Sequence, residues 1–319
     1  MGVLTKYGTL WGTIPETHGS IFWVAPSTPY TIDGKAYDAS DGNDGLSPDR
    51  ALSTVNRAIV LATANAGDII AMLPGTHTDS VTVTCNKAGL SFIGIQPSSR
   101  IGPQVRTYAL GTKVNWTSTF AGTAVTNTAA DCTFAGINMI PVTARTFMTC
   151  IATPRNAFIG CAVTLSATAS TSTKGIVFSG AAGAYCSFVD CVGINTVATS
   201  AQGPWLDITA AQNILVEGCD TILKGTSSAW AVAIQCGAAS SGIFKRNWMA
   251  AHGVGTITIG IDGTGVAVAN SFGMTDNRYG VSPGAGACKN FDNDEVSLVN
   301  NYYATIGGGA GFVIQTVVV

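Results

Sequence analysis

The chain has 319 residues, a formal net charge of −2 and 11% charged residues; that is less than half the roughly 25% of an average globular protein. This balance leaves no basic footprint for nucleic acid or an anionic membrane. No run approaches about 18 consecutive apolar residues, so no membrane-spanning helix is expected.

So little charge points to a large interior, or to surface hidden in an assembly. No Pro-rich linker or charge run marks a boundary between domains. Residues 1–36 form an N-terminal arm with Tyr7, Trp11, Phe22 and Trp23 and few charges. That is the composition of an interface core, and these four residues are expected to make attachment and oligomer contacts. The arm lacks a basic region followed by an apolar stretch, so no secretory signal is read. Nine cysteines, an odd number without a Cys-x-x-Cys pair, fit reduced thiols and assembly in a cytoplasm.

Residues 37–67 read as a turn and a capping helix. Asp41, Asn43 and Asp44 do not have the spacing of an EF-hand loop, and Asn-Asp-Gly is a strong turn former. A structural turn is the preferred reading, with a calcium site as the alternative. Ser47 before Pro48 gives a helix start. Ala51, Leu52, Val55, Ala58, Ile59 and Ala62 follow at helical spacing up to Ala66-Gly67. The spacing predicts one amphipathic helix over 48–65, ahead of a first strand at Asp68–Leu73.

From Phe92 onward a four-residue unit recurs: an apolar residue, any residue, a small or polar residue, then Ile, Cys or Asn. It reads Phe92–Ile95, Phe134–Ile137, Phe158–Cys161, Phe188–Cys191, Val216–Cys219, Phe244–Asn247, Met274–Asn277 and Leu298–Asn301. The fourth positions are 42, 24, 30, 28, 28, 30 and 24 residues apart, so one gap holds an irregular coil or an insertion. A second apolar segment precedes most units, as in Trp205–Ile208, Val232–Ile234 and Ile257–Ile261. Short alternating strands at this period fit one coil of a parallel β-helix, whereas a propeller blade needs about 40 residues.

The expected fold is therefore all-β: a single-stranded parallel β-helix over 68–303, capped by the helix. Stacked coils would align Cys161, Cys191 and Cys219 in one ladder and Asn247, Asn277 and Asn301 in the next. Asn amides would satisfy turn backbone groups along the axis. The cysteines read as small buried filler, against a metal site or disulfides. Residues 304–319 form a C-terminal β-prone segment, with Phe312 and Val313 expected in contacts with sister subunits.

The stretch DGLSPDRALSTVNRAI, followed by AGDIIAMLPGTHTDSVTV, resembles the start of right-handed β-helix proteins of the pectate-lyase-like type. The arm LTKYGTLWGTIPETHGSIFWVAP before that cap resembles proteins of tailed bacteriophages, both tailspike-like and capsid-associated. The resemblance implies right-handed coils, three-fold packing and a place on a virion.

Sugar-cleaving chemistry needs two carboxylates at defined separation, or a base with a cationic helper. Asp190 and Asp276 share a motif position three coils apart, roughly 14 Å at the strand spacing, too far for a hydrolytic pair. Glu217, Asp220 and Asp190 are the best acidic cluster and read as turn residues. Asp292, Asp294 and Glu295 read as a solvated turn. His18, His77 and His252 lie in three separate settings. No catalytic residue, metal site or cofactor is assigned. The expectation is a non-enzymic virion structural protein, a trimeric capsid decoration (cement) protein on the major capsid protein, at the capsid surface. The alternative is a tailspike-like protein that binds or depolymerises host glycan.

Overall fold

The computed structural model describes residues 19–26, 29–32, 34–95, 114–141, 145–151, 153–165, 173–179, 184–196, 201–209, 211–223, 229–237, 239–251, 256–263, 266, 272–281, 289–290, 296–299, 301–305 and 313–315. Tyr7, Trp11, His18, His252, Asp292, Asp294, Glu295 and Phe312 lie outside the described residues, as do the side chains of Asn301 and Val313. The chain is a right-handed parallel β-helix. Its coils repeat three short strands, as in Ala157–Ile159, Ala162–Leu165 and Lys174–Ser179. Stacking them builds three sheets of ten, ten and nine strands among the described residues.

The recurring unit is the junction of the first and second sheets. Its leading residue is buried from Phe22 to Met274, and the register aligns Phe22, Ile70, Phe92, Phe134, Phe158, Phe188, Val216, Phe244, Met274 and the Leu298 backbone. The rings of Phe92, Phe134, Phe158 and Phe188 stack with centroids 4.9, 5.0 and 4.6 Å apart and planes within 11°. Those distances match both the ~4.8 Å strand spacing and the favourable range for offset aromatic pairs.

The third residue of the unit makes the corner in the left-handed region. Gly136, Gly160, Asp190, Gly218, Arg246 and Asp276 have φ of 64, 57, 52, 65, 56 and 55°. Phe92 and Phe134 are register neighbours, so the 42-residue gap is one coil, lengthened between Gly94 and Val114.

The fourth residue fills the inside of each corner. Asn247 Oδ1 accepts from the Cys219 amide at 2.8 Å, and Asn277 Oδ1 accepts from the Asn247 amide and side chain at 3.0 and 2.9 Å. Asn247 and Asn277 each donate Nδ2 to a first-sheet carbonyl of the preceding coil, Val216 and Phe244, at 2.9 Å. The Sγ atoms of Cys161, Cys191 and Cys219 occupy the equivalent place, donating to the carbonyls of Phe134, Phe158 and Phe188 at 3.2, 3.3 and 3.4 Å. A thiol thus replaces the amide donor while filling less space.

Replacing Asn277 with Ala orphans the Asn247 amide and the Phe244 carbonyl. A loss of about 2–4 kcal/mol is expected in urea unfolding, from two buried unmade bonds. An unchanged midpoint would show that the ladder adds nothing.

The two ends of the solenoid depart from expectation in three ways. The helix is short. A 3-10 turn spans Pro48–Arg50, and after an extended Ala51 an α-helix runs only over Val55–Leu61. The continuous 48–65 helix fails because Leu52 forms a β-bridge to Val24, and the helix starts afresh at the N-cap Thr54, whose hydroxyl accepts from the Arg57 amide at 3.2 Å and which Asp41 holds in place. The Asp41 carboxylate accepts from the amides of Ser53 and Thr54 at 3.1 and 3.0 Å and from their hydroxyls at 2.9 and 2.7 Å. The acidic stretch is therefore a structural turn. The helix still caps the solenoid, with Val55, Ala58 and Ile59 buried in the main core.

Secondly, the arm does not stop at the solenoid. Ile21–Val24 pairs in parallel with Ile69–Met72 and heads the first sheet. Phe22 and Trp23, expected at an interface, are 7% and 5% exposed in the chain's own core. Asp68 clips the junction together, accepting from the Ser20 and Thr63 amides at 2.6 Å each.

Thirdly, the far end is paired. Asn301–Thr305 completes the second sheet, and Val313–Gln315 lies antiparallel on it. Part of the β-prone C-terminal run therefore finds its partner within the chain.

Candidate functional site on the third sheet

Among the described residues the interior cysteines are not reactive. Eight described cysteines are buried thiols, and burial pushes Cys132 and Cys186 up to about 11 and holds the others whose shift is resolved higher still. Such thiols are poor nucleophiles. His77 is buried and donates its Nε2–H to the Leu73 carbonyl at 2.8 Å; burial pushes it down to about 4.

His77 is therefore neutral in the fold yet takes a proton in the unfolded chain below its ordinary value of 6.5. A depressed histidine costs stability as pH falls, from about 6.5 down through about 4. The loss expected below pH 4 is about 3 kcal/mol, at 1.36 kcal/mol per unit. Urea titrations of the native protein and His77→Gln at pH 7, 5 and 4 check this. Equal pH slopes in the two proteins would remove the histidine as the cause.

The outer face of the third sheet carries a row of mostly polar residues. Its strands align Thr84, Thr126, Thr149, Val177, Asp207, Gln235 and Asp262 in one axial row, one residue per coil. Their neighbours along each strand point inward, as buried Met148, Cys150, Ile176, Phe178, Leu206, Ile208, Ile234 and Ile261 show. Period-two alternation thus turns the row away from the core, with Thr84 exposed, most of the others half-buried and Asp207 buried.

Asp207 is the focus. Its carboxylate, with a side chain 5% exposed, meets Lys174 Nζ at 2.8 Å across one coil and accepts from the Thr209 amide at 3.2 Å. One coil on, Gln235 Nε2 donates to Asp262 Oδ2 at 3.2 Å and to the Cys236 carbonyl at 3.0 Å. Beneath the row Trp205 is fully buried, with its indole N–H on Thr221 Oγ1 at 3.0 Å. Gly193 makes room for that ring: a Cβ there would sit 2.3 Å from it. The Trp205 wedge fixes the short Leu206–Asp207 strand and with it the Asp207 side chain.

Two strand steps separate Asp207 from Asp262, roughly 9.6 Å along the backbone, just beyond the roughly 6.5–9.5 Å between carboxyl groups that leaves room for a water beside a glycosidic bond. The Asp190–Asp276 pair is three steps apart, as the repeat implied.

The acids singled out from the sequence do not converge. Glu217 lies on the outer face of the first sheet, ion-paired to Arg246 and, at 3.7 Å, to Lys245. Asp220, 3% exposed, starts a strand of the second sheet. Lys174, Asp207, Gln235 and Asp262 were missed. Their signal was present as the 28- and 27-residue spacing of Asp207, Gln235 and Asp262, in the apolar segments that precede the corner motif.

No protein-family model matches this sequence, and no curated protein matches it. Solved structures do. A rhamnogalacturonan lyase superposes with a TM-score of 0.59 at 11% identity, covering 89% of this chain and 74% of its own. A pectate lyase gives 0.54 at 12% identity, covering 92% of this chain and 79% of its own. The pectin methylesterase from Aspergillus niger gives 0.51 at 13% identity, covering 92% of this chain and 87% of its own. What they share with it is the fold. All three are enzymes by name, and this overturns the expectation of a non-enzymic chain.

Proposed function

We propose that the chain is a glycan-acting β-helix protein, with Lys174, Asp207, Gln235 and Asp262 as its site. The observation that carries this reading is the pair of outward carboxylates two coils apart, each held by a neighbour, in a chain with 11% charged residues. The fold shared with polysaccharide lyases and a pectin methylesterase supports it. Asp207 and Asp262 would flank a glycosidic bond, one protonating the leaving oxygen and the other taking a proton from the attacking water. Lys174 and the Thr209 amide position the first carboxylate, and the Gln235 amide positions the second.

This develops the tailspike-like alternative read from the sequence, host-glycan depolymerisation included. The capsid-decoration branch, with its major capsid protein partner, homotrimer and virion location, drew on the phage resemblance, the low charge, the aromatic arm and the lack of a catalytic set. Phe22 and Trp23 being spent on the cap weakens its support.

The test incubates the protein with a panel of plant and bacterial polysaccharides and measures new reducing ends. Product that disappears in both Asp207→Asn and Asp262→Asn is expected. Azide rescue of one variant with inverted product assigns the base. Activity that survives both substitutions would move the site elsewhere.

A further inference from the structure

Resting on the glycan reading above, we infer that the substrate is an uncharged glycan lying along the solenoid axis, from the hydroxyls of Thr84, Thr126 and Thr149 over Val177 to Asp207. The three threonines occupy successive coils in register, so their hydroxyls recur at ~4.8 Å along a straight line. Each sits on an outer face: Thr84 is exposed, and Thr126 and Thr149 are half-buried. A hydroxyl both donates and accepts, which suits the hydroxyls of a sugar whatever their orientation. Val177, the next position, is half-buried and apolar, a surface for the C–H face of a ring. The row then turns acidic at Asp207 and Asp262.

The charge decides the class. Lys174 lies 2.8 Å from Asp207, so its charge answers that carboxylate and Asp262 leaves the row net acidic. Arg145, which precedes the Thr146–Ile151 strand of the same sheet, is turned to the Phe120 carbonyl. A polyuronate would bring a carboxylate on every sugar against this surface, and like charges in register oppose binding. The hydroxyls of a neutral chain would donate to the same carboxylates.

The experiment uses the full chain in affinity gel electrophoresis, run cold so that turnover is slow. The gels contain a neutral galactan, a neutral mannan, polygalacturonate or highly methyl-esterified pectin. Esterified pectin keeps the backbone of polygalacturonate and removes its charge. Retardation by at least one neutral galactan or mannan is expected, with esterified pectin bound at least about tenfold more tightly than polygalacturonate. The double variant Thr126→Val, Thr149→Val is expected to lose about tenfold in affinity with an unchanged melting temperature. Tightest binding to polygalacturonate would overturn the inference and leave the glycan reading intact. Threonine variants that bind like the native chain would overturn the proposed path. No binding to any of these glycans, together with no product from the wider panel, would bring down the glycan reading itself and this inference with it.

Discussion

Asp207→Asn is expected to lower glycan turnover by about 10²–10⁴-fold, the range for removing a positioned acid or base. The substitution is nearly isosteric and keeps one oxygen for the Thr209 amide. It removes the charge that faces Lys174, whose side chain is 36% exposed and can turn to water. The stability cost should therefore stay near that of a partly screened ion pair, about 1 kcal/mol or less. Initial rates and a thermal melt on the same sample separate the two effects. A variant that melts far below the native protein would make Asp207 a structural residue first. One that keeps full activity would exclude it from the chemistry.

Phe158→Ala should have the largest effect on stability. The ring is fully buried between Phe134 and Phe188, at 5.0 and 4.6 Å. Phe→Ala in a core costs about 3–5 kcal/mol, from lost transfer energy and a cavity the neighbours fill only in part. In a solenoid each coil touches chiefly the coils on either side, so the damage should be local at first. Hydrogen exchange is expected to speed up over the strands Thr133–Ala135, Ala157–Ile159 and Ser187–Val189 before the ends respond. Uniform acceleration along the whole chain would mean that it unfolds as one cooperative unit.

The corner motif made the fold legible because it satisfies three constraints at once: an inward aromatic, a left-handed corner and a residue that bonds the next coil. A position so constrained leaves a clear trace in residue type. The companion ladder at the other end of the first sheet was also in plain sight. Cys132, Asn156 and Cys186 each stand two residues before a stacking Phe, and the Asn156 side chain takes the Cys132 amide at 2.8 Å. The helix was read too long because apolar spacing does not distinguish a helical turn from Leu52 inserted as a β-bridge. Phe22 and Trp23 looked like interface because their strand partner, Ile69–Met72, lies 48 residues on and outside the repeat. Asp207 and Asp262 escaped because carboxylates were sought at the corners, where the repeat is loud. An outward position on the third sheet is not set by the stacking that fixes the corner residues. Its residue types vary, and only the register brings them together.

The first rung and its cap also bear on how the chain acquires its shape during synthesis. Residues 21–72, which contain the heading strand, the Asp41 turn, the cap and the first partner strand, leave the ribosome before any later coil. They form a finished edge that the next segment can extend. Six of the seven steps between corner units are 24 to 30 residues, so most added rungs close a loop of similar entropy on a template already in place. Such a chain zips from its first residues toward its last. Stalled nascent chains ending after successive corners should gain protease resistance one rung at a time, and deletion of residues 19–26 should abolish it at every length.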